Sequence, residues 1–108
     1  MIWNGRLDGD DPMYHRIFQR VEITEDYEIV STNDFVLHGF AVDEGVKRNK
    51  GRVGAAKAPD VIRKNMSNFP VVIENFKLLD FGNISCDDQN LEKSQQDLAN
   101  KVSKILEK

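Results

Sequence analysis

The chain has 108 residues, room for one domain at most. Apolar residues make up 40% and charged residues 31%, an ordinary globular mix, and the net charge of -3 selects against nucleic acid and anionic membrane as partners. No apolar run approaches the roughly 20 residues that span a bilayer, Met1 to Arg6 lacks a secretory signal pattern, and the lone Cys86 excludes an internal disulfide and suits a reducing cytoplasm.

Residues 1–34 show no long periodic pattern and read as an arm lying on a larger body. Pro12 can open a short helix in which Met13, Ile17, Phe18 and Val21 share a face. Val21 to Ile23 then reads as extended.

The run Phe35-Val36-Leu37-His38-Gly39-Phe40-Ala41-Val42 is nearly continuous in apolar residues and short. That pattern suits a strand covered on both faces, as in a parallel sheet. Asp43 to Lys57 is polar and carries Gly45, Gly51 and Gly54, so a loop is expected. Pro59 marks a helix start, with Asp60 in the first turn where the helix dipole favours an acid. Ile62, Met66 and Phe69 predict its buried stripe, and Pro70 its end.

Phe76 to Phe81 reads as a second strand, broken by Gly82-Asn83. Asp87 or Asp88 is positioned to cap a last helix, with Leu91, Leu98, Val102, Ile105 and Leu106 as its apolar stripe. Strand–helix–strand implies a parallel pair with a right-handed crossover. The fold class is therefore α/β: an arm over 1–34, then strand–helix–strand–helix over 35–108. Two strands and two helices make an incomplete sheet, which points to a piece of something larger.

Four stretches carry a family resemblance. Trp3-Asn4-Gly5-Arg6-Leu7-Asp8 matches a Trp-x-Gly-Arg-x-Asp opening. Gly39-Phe40-Ala41-Val42-Asp43-Glu44-Gly45-Val46 resembles a first strand end with its following loop. Arg48-Asn49-Lys50-Gly51-Arg52-Val53-Gly54-Ala55, continuing through Pro59 to Ile62-Arg63, resembles an Asn-x-Gly-Arg-x-Gly-Ala…Pro…Ile-Arg signature. Asp80-Phe81-Gly82-Asn83 resembles an Asp-x-Gly-Asn strand end. In order and spacing they resemble the formimidoylglutamases of the arginase–agmatinase ureohydrolase family, across essentially the whole chain.

The resemblance implies the N-terminal part of a three-layer α/β fold around a parallel sheet. It also implies hydrolysis of N-formimidoyl-L-glutamate to L-glutamate and formamide, a step of histidine degradation. In the complete enzyme two Mn2+ ions would activate the attacking water. The family's ligand motifs, a Gly-Gly-Gly-His loop and Asp-x-His-x-Asp and Asp-x-Asp strand ends, do not occur here. The chain alone is therefore expected to hold no metal and to be inactive. An agmatinase-like guanidino-hydrolase, or a non-catalytic module that pairs with another chain, are the alternatives. Homo-oligomerisation or self-association through an exposed sheet edge is expected.

Within that frame Lys47-Arg48-Asn49-Lys50-Gly51-Arg52 packs four cations into six residues. It follows the carboxyl end of a strand, where ligands of open α/β sheets bind. The implied substrate carries two carboxylates, and a guanidinium can grip a carboxylate with two parallel hydrogen bonds. Arg52, Asn49 and Arg48 are the candidate substrate-binding residues, with Arg52 first because it fits the wider signature. The competing reading is a solvated basic loop, or arginines that brace neighbouring loops. Gly51 and Gly54 read as turn formers. Asp43 and Glu44 read as loop caps or ion-pair partners before they read as an acid–base pair. His38 is expected to be a packed, hydrogen-bonded imidazole, and Cys86 an unreactive thiol. Trp3 and Arg6 are expected either to dock the arm on the body or a neighbouring subunit, or to pack purely locally.

Overall fold

The apolar stretch around Leu79 sits at the centre of the sheet. The structure, a computed structural model, describes residues 2–86 and 88–107. Among these residues three parallel strands pair: β1 (Val21–Ile23), β2 (Phe35–Ala41) and β3 (Leu78–Ser85), in the order β1-β3-β2. Val21 and Phe35 both sit opposite Leu78. β3 therefore has a neighbour on each side, and Leu78, Leu79, Phe81 and Ile84 are all buried.

Gly82-Asn83 does not break this strand, contrary to expectation. Leu37 pairs with Asp80 and Gly39 with Asn83, so β3 spends one residue more than β2 over that span. The bulge is taken up where Gly82 adopts φ +78, a conformation that glycine reaches without a Cβ penalty. The strand then continues to Ser85. β2 is less covered than its apolar run suggests: it is, like β1, an edge strand among the described residues, and Phe35 is half exposed.

Side chains alternate across a strand, and that alternation builds three layers here. Leu79 and Phe81 pack with Val30, Tyr27, Ile29, Val36 and Ile105. Asp80, between them, faces the other way toward Trp3 and Arg63. The start of the arm at Trp3 and helix α2 (Ala58–Met66) therefore lie on one face, and the Tyr27–Ile29 turn with helix α3 (Leu91–Leu106) on the other.

Residues 43–57, expected as loop, contain helix α1 (Glu44–Arg48) and a 3-10 turn (Ala55–Lys57). α1 is held by charge rather than by an apolar stripe. Glu44 lies in its first turn and Arg48 in its last, and the two pair at i, i+4. Helix α2 (Ala58–Met66) starts with Pro59 and Asp60 in its first turn, as expected. Its inward face is different from the expected one. Arg63 and Ser67 are buried, while Ile62 and Phe69 are each more than half exposed. The sheet presents the Asp80 carboxylate beneath α2, which turns Arg63 inward and Ile62, one residue before it, out to the side.

Helix α3 (Leu91–Leu106) is capped by Asn90, whose side chain accepts from the Lys93 N–H. Asp88 accepts from the Asn90 N–H instead of capping, and Asp87 lies outside the described residues. The inward set is Leu91, Ser94, Leu98, Lys101 and Ile105; Val102 and Leu106 fall beside it and are exposed.

In the arm, Val21–Ile23 is extended as expected. The helix ahead of it is instead two 3-10 turns, Pro12–Tyr14 and Ile17–Arg20, and Met13 is exposed. Trp3 is 5% exposed, so the arm is anchored at its very start. Among the described residues no helix is long and apolar enough to cross a membrane.

Candidate functional site

All three strands point the same way, so the segments after β2 and β3 meet at one edge of the sheet. After β2, Asp43 accepts from the Gly54 N–H at 2.9 Å and the Ala56 N–H at 3.0 Å. These two bonds hold its carboxyl below the usual range. Gly54 takes φ +153, outside ordinary side-chain geometry, which brings its N–H round to Asp43. Asp43 is thus a loop pin and Glu44 an ion-pair partner, the plainer of the two readings for these acids.

Arg48 reaches across to the segment after β3. Its Nε donates to Glu44 Oε2 at 3.2 Å and its Nη1 to Glu92 Oε1 at 2.5 Å. Its Nη2 donates to Glu92 Oε2 at 3.2 Å and to the Gln89 carbonyl at 3.0 Å. The Arg48 hydrogen bonds hold the Glu92 carboxyl below its ordinary value, and the same bonds, with those to Glu44, hold the guanidinium more firmly protonated.

Between these pins the chain turns outward. The Asn49 N–H closes α1 on the Gly45 carbonyl, and Lys50 takes φ +58. The Gly51 N–H donates to the Val46 carbonyl at 2.8 Å. Arg52 is exposed and makes no hydrogen bond or ion pair with any described residue. The side chain of Asn49 is likewise exposed and unbonded to described residues. The three candidates therefore share one loop, with Arg48 committed to carboxylates of its own chain while Arg52 and Asn49 keep their polar groups available.

A second polar cluster lies beneath α2. Arg63 donates from Nε to Asp80 Oδ2 at 2.9 Å and from Nη2 to Asp80 Oδ1 at 3.0 Å, a two-bond fork. Its remaining N–H groups go to Asp60, Asn83 and the Gly82 carbonyl. Trp3 Nε1 donates to Asp80 Oδ2 at 2.6 Å, and the Gly82 N–H to Asp80 Oδ1 at 2.9 Å. Burial pushes the Asp80 carboxyl up, but the hydrogen bonds from Arg63, Trp3 and Gly82 outweigh it and leave it below the usual range. A Cβ on Gly39 would collide with the Asn83 amide oxygen. Sequence reasoning did not foresee this Trp3–Arg63–Asp80 clasp. Its signal was an arginine and a serine, Arg63 and Ser67, spaced i, i+4 on a helix that must pack on an apolar sheet.

Arg6 does not dock through its side chain. Its guanidinium pairs with Asp8, while its backbone N–H donates to Asn68 Oδ1 at 2.7 Å. His38 packs beside the stacked Tyr27 and Phe81 rings, at 6.3 and 5.2 Å, but contrary to expectation it is not hydrogen-bonded to any described residue. Both ring nitrogens are buried without a partner among the described residues.

The sequence profile of the arginase family matches residues 33–108. The chain belongs to the arginase family. Formimidoylglutamase from Staphylococcus haemolyticus (strain JCSC1435) is 39% identical to this arginase-family chain over 109 residues, covering 97% of it and 35% of the relative. The formimidoylglutamase of Vibrio vulnificus (strain CMCP6) is 39% identical over 110 residues, 96% of this chain and 31% of the relative. That of Salmonella newport (strain SL254) is 41% identical over 107 residues, 97% and 34%. The chain spans about a third of the length of these curated relatives.

The described part of this arginase-family chain does not fit a pair of manganese ions. Hard divalent cations need clustered carboxylate or imidazole donors. No three His, Cys, Asp or Glu side chains among the described residues form such a group. The acids at the carboxyl edge are already engaged: Asp43 by backbone N–H groups, Glu44 and Glu92 by Arg48.

Proposed function

We propose that this chain is the amino-terminal third of a formimidoylglutamase, which hydrolyses N-formimidoyl-L-glutamate to L-glutamate and formamide. Its own part in that reaction is to bind and orient the substrate. Arg52 meets a carboxylate of the glutamate moiety, with Asn49 as an added donor. The supporting observation is the near-complete cover of this chain by curated formimidoylglutamases, joined to a loop at the carboxyl edge whose Arg52 is unspent. The metal chemistry of the resemblance, two manganese ions activating water, belongs in this reading to residues other than the described ones. The open edge of β2 suits strand pairing, so self-association of the isolated 108-residue chain is part of the proposal.

Full-length, manganese-loaded protein is assayed against formimidoylglutamate, agmatine and arginine. Turnover of formimidoylglutamate is expected, and Arg52→Met should raise its KM about tenfold or more while changing kcat less, because a charged contact to the bound ground state is lost. Preference for agmatine or arginine overturns the reading.

A further inference from the structure

This inference rests on the reading of Arg52 as a carboxylate contact and deepens it. We infer that Arg48 is a positioning residue, a clamp between the segments after β2 and β3 that sets where the Asn49–Val53 turn presents Arg52. Arg48 has five N–H donors, and four bonds to its own chain leave only one of them, on Nη1, unspent. A guanidinium grips a carboxylate through two adjacent N–H groups. Arg48 has no such free pair unless it lets go of Glu44, Glu92 or Gln89. A substrate carboxylate placed there would also face the Glu44 and Glu92 carboxylates, and like charges at that range repel.

The clamp has something to hold. α1 is five residues long, too short to persist by helix propensity alone. Arg48 stands at its carboxyl end, four residues before Arg52. Asp43 fastens the far side of the same turn through the Gly54 and Ala56 N–H groups. Arg52 therefore lies between two fixed points on one short excursion. Fixing a loop before binding lowers the ordering cost when the ligand arrives.

The test uses full-length protein with Arg48→Met, Arg48→Lys, Glu92→Gln and Arg52→Met, and two readouts. One is hydrogen exchange of amides 49–53 without substrate; the other is KM and kcat for formimidoylglutamate. Arg48→Met should speed that exchange roughly two- to fivefold, the range of a lost exposed ion-pair network. It should raise KM about threefold or more with kcat little changed. Arg48→Lys should not rescue, since an ammonium cannot reproduce the planar fork on Glu92 while reaching Glu44 and Gln89. Glu92→Gln should repeat the effect in part. Added to Arg52→Met, Arg48→Met should raise KM no further. Unchanged exchange in Arg48→Met overturns the clamp. Additive KM effects of the two arginines place Arg48 on the substrate and also overturn it. Faster exchange with KM unmoved in both arginine variants supports the clamp and overturns the carboxylate role of Arg52.

Discussion

Arg63→Met removes the hub of the buried clasp and keeps most of the aliphatic volume. Arg63 is 3% exposed and gives all five of its N–H groups to described partners. The substitution leaves the Asp80 carboxylate buried with only the Trp3 indole and the Gly82 N–H, and strips a donor from the Gly82 carbonyl and from Asn83. Removing one partner of a buried pair costs about 3–5 kcal/mol, chiefly because the other charge stays desolvated. A domain holds roughly 5–15 kcal/mol in all, so the variant should stand near unfolding. Arg63→Met with Asp80→Leu should recover about 1–2 kcal/mol of the loss, since the stranded charge is gone even though Trp3 then lacks an acceptor. The assay is urea unfolding followed by far-ultraviolet dichroism and by the emission of Trp3, the chain's single tryptophan. The acid limb provides a second check. Asp80 is held below its unfolded value of about 3.9. Its contribution is present above that pH and is lost as pH falls from there through the folded value. A loss under about 1 kcal/mol in Arg63→Met, or a double variant no better than the single, would refute the account of the clasp.

His38 gives a prediction of opposite origin. Burial chiefly, with Lys101 and Arg63 adding and Asp80 opposing, holds its imidazole below the ordinary value, beside the Tyr27 and Phe81 rings. Above about pH 6.5 it is neutral folded or unfolded; below that the unfolded chain takes the proton first, so stability falls until the folded value is reached. His38→Leu should flatten that limb in pH-dependent melting and, by removing two buried unpartnered nitrogens, gain about 1 kcal/mol at neutral pH; parallel pH profiles would count against it. Gly39→Ala should cost about 1–3 kcal/mol, because the added Cβ would meet the Asn83 amide held by Arg63 and come within 2.9 Å of Pro59 Cβ. Gly82→Ala meets nothing and pays only for its positive φ, about 1–2 kcal/mol; urea midpoints showing Gly82→Ala as the costlier change would contradict the packing argument.

The sheet was legible where apolar residues cluster without interruption. Leu78-Leu79 and Phe81 declared the second strand of the strand–helix–strand unit, Val21–Ile23 a short extended piece, and Pro59-Asp60 a helix start. What escaped is held by charges whose partners are remote in the chain. Arg63 and Asp80 are 17 residues apart, and Trp3 and Asp80 are 77 apart. Periodicity therefore assigned the buried face of α2 to Ile62 and Phe69 when an ion pair had taken it. Helix α1 was invisible because Val46 is its single large apolar residue and its stability comes from Glu44 and from Glu92 on another element. Gly82 read as a break because a glycine in a strand signals either an end or a bulge, and only the pairing register separates them.

The same division decides which motif residues can reach a ligand. A polar side chain whose donors and acceptors are all satisfied inside the fold must lose a bond for every bond it offers outward. By that rule Trp3, Arg63 and Asp80 are frame, although each lies in a stretch that carries the family resemblance. At the carboxyl edge, where binding groups would otherwise be sought first, Asp43 holds two loop N–H groups and Arg48 spends four of its five N–H groups on its own chain, so both serve mainly as frame. Arg52 is the one guanidinium on that loop with none of its N–H groups spent on a described residue, and Asn49 is the loop's one side-chain amide, likewise unbonded to described residues. Motif membership thus marks residues required by the fold and residues required by the substrate alike. The hydrogen-bond account of each side chain tells them apart, and on this loop it leaves Arg52 as the guanidinium free for the proposed carboxylate contact.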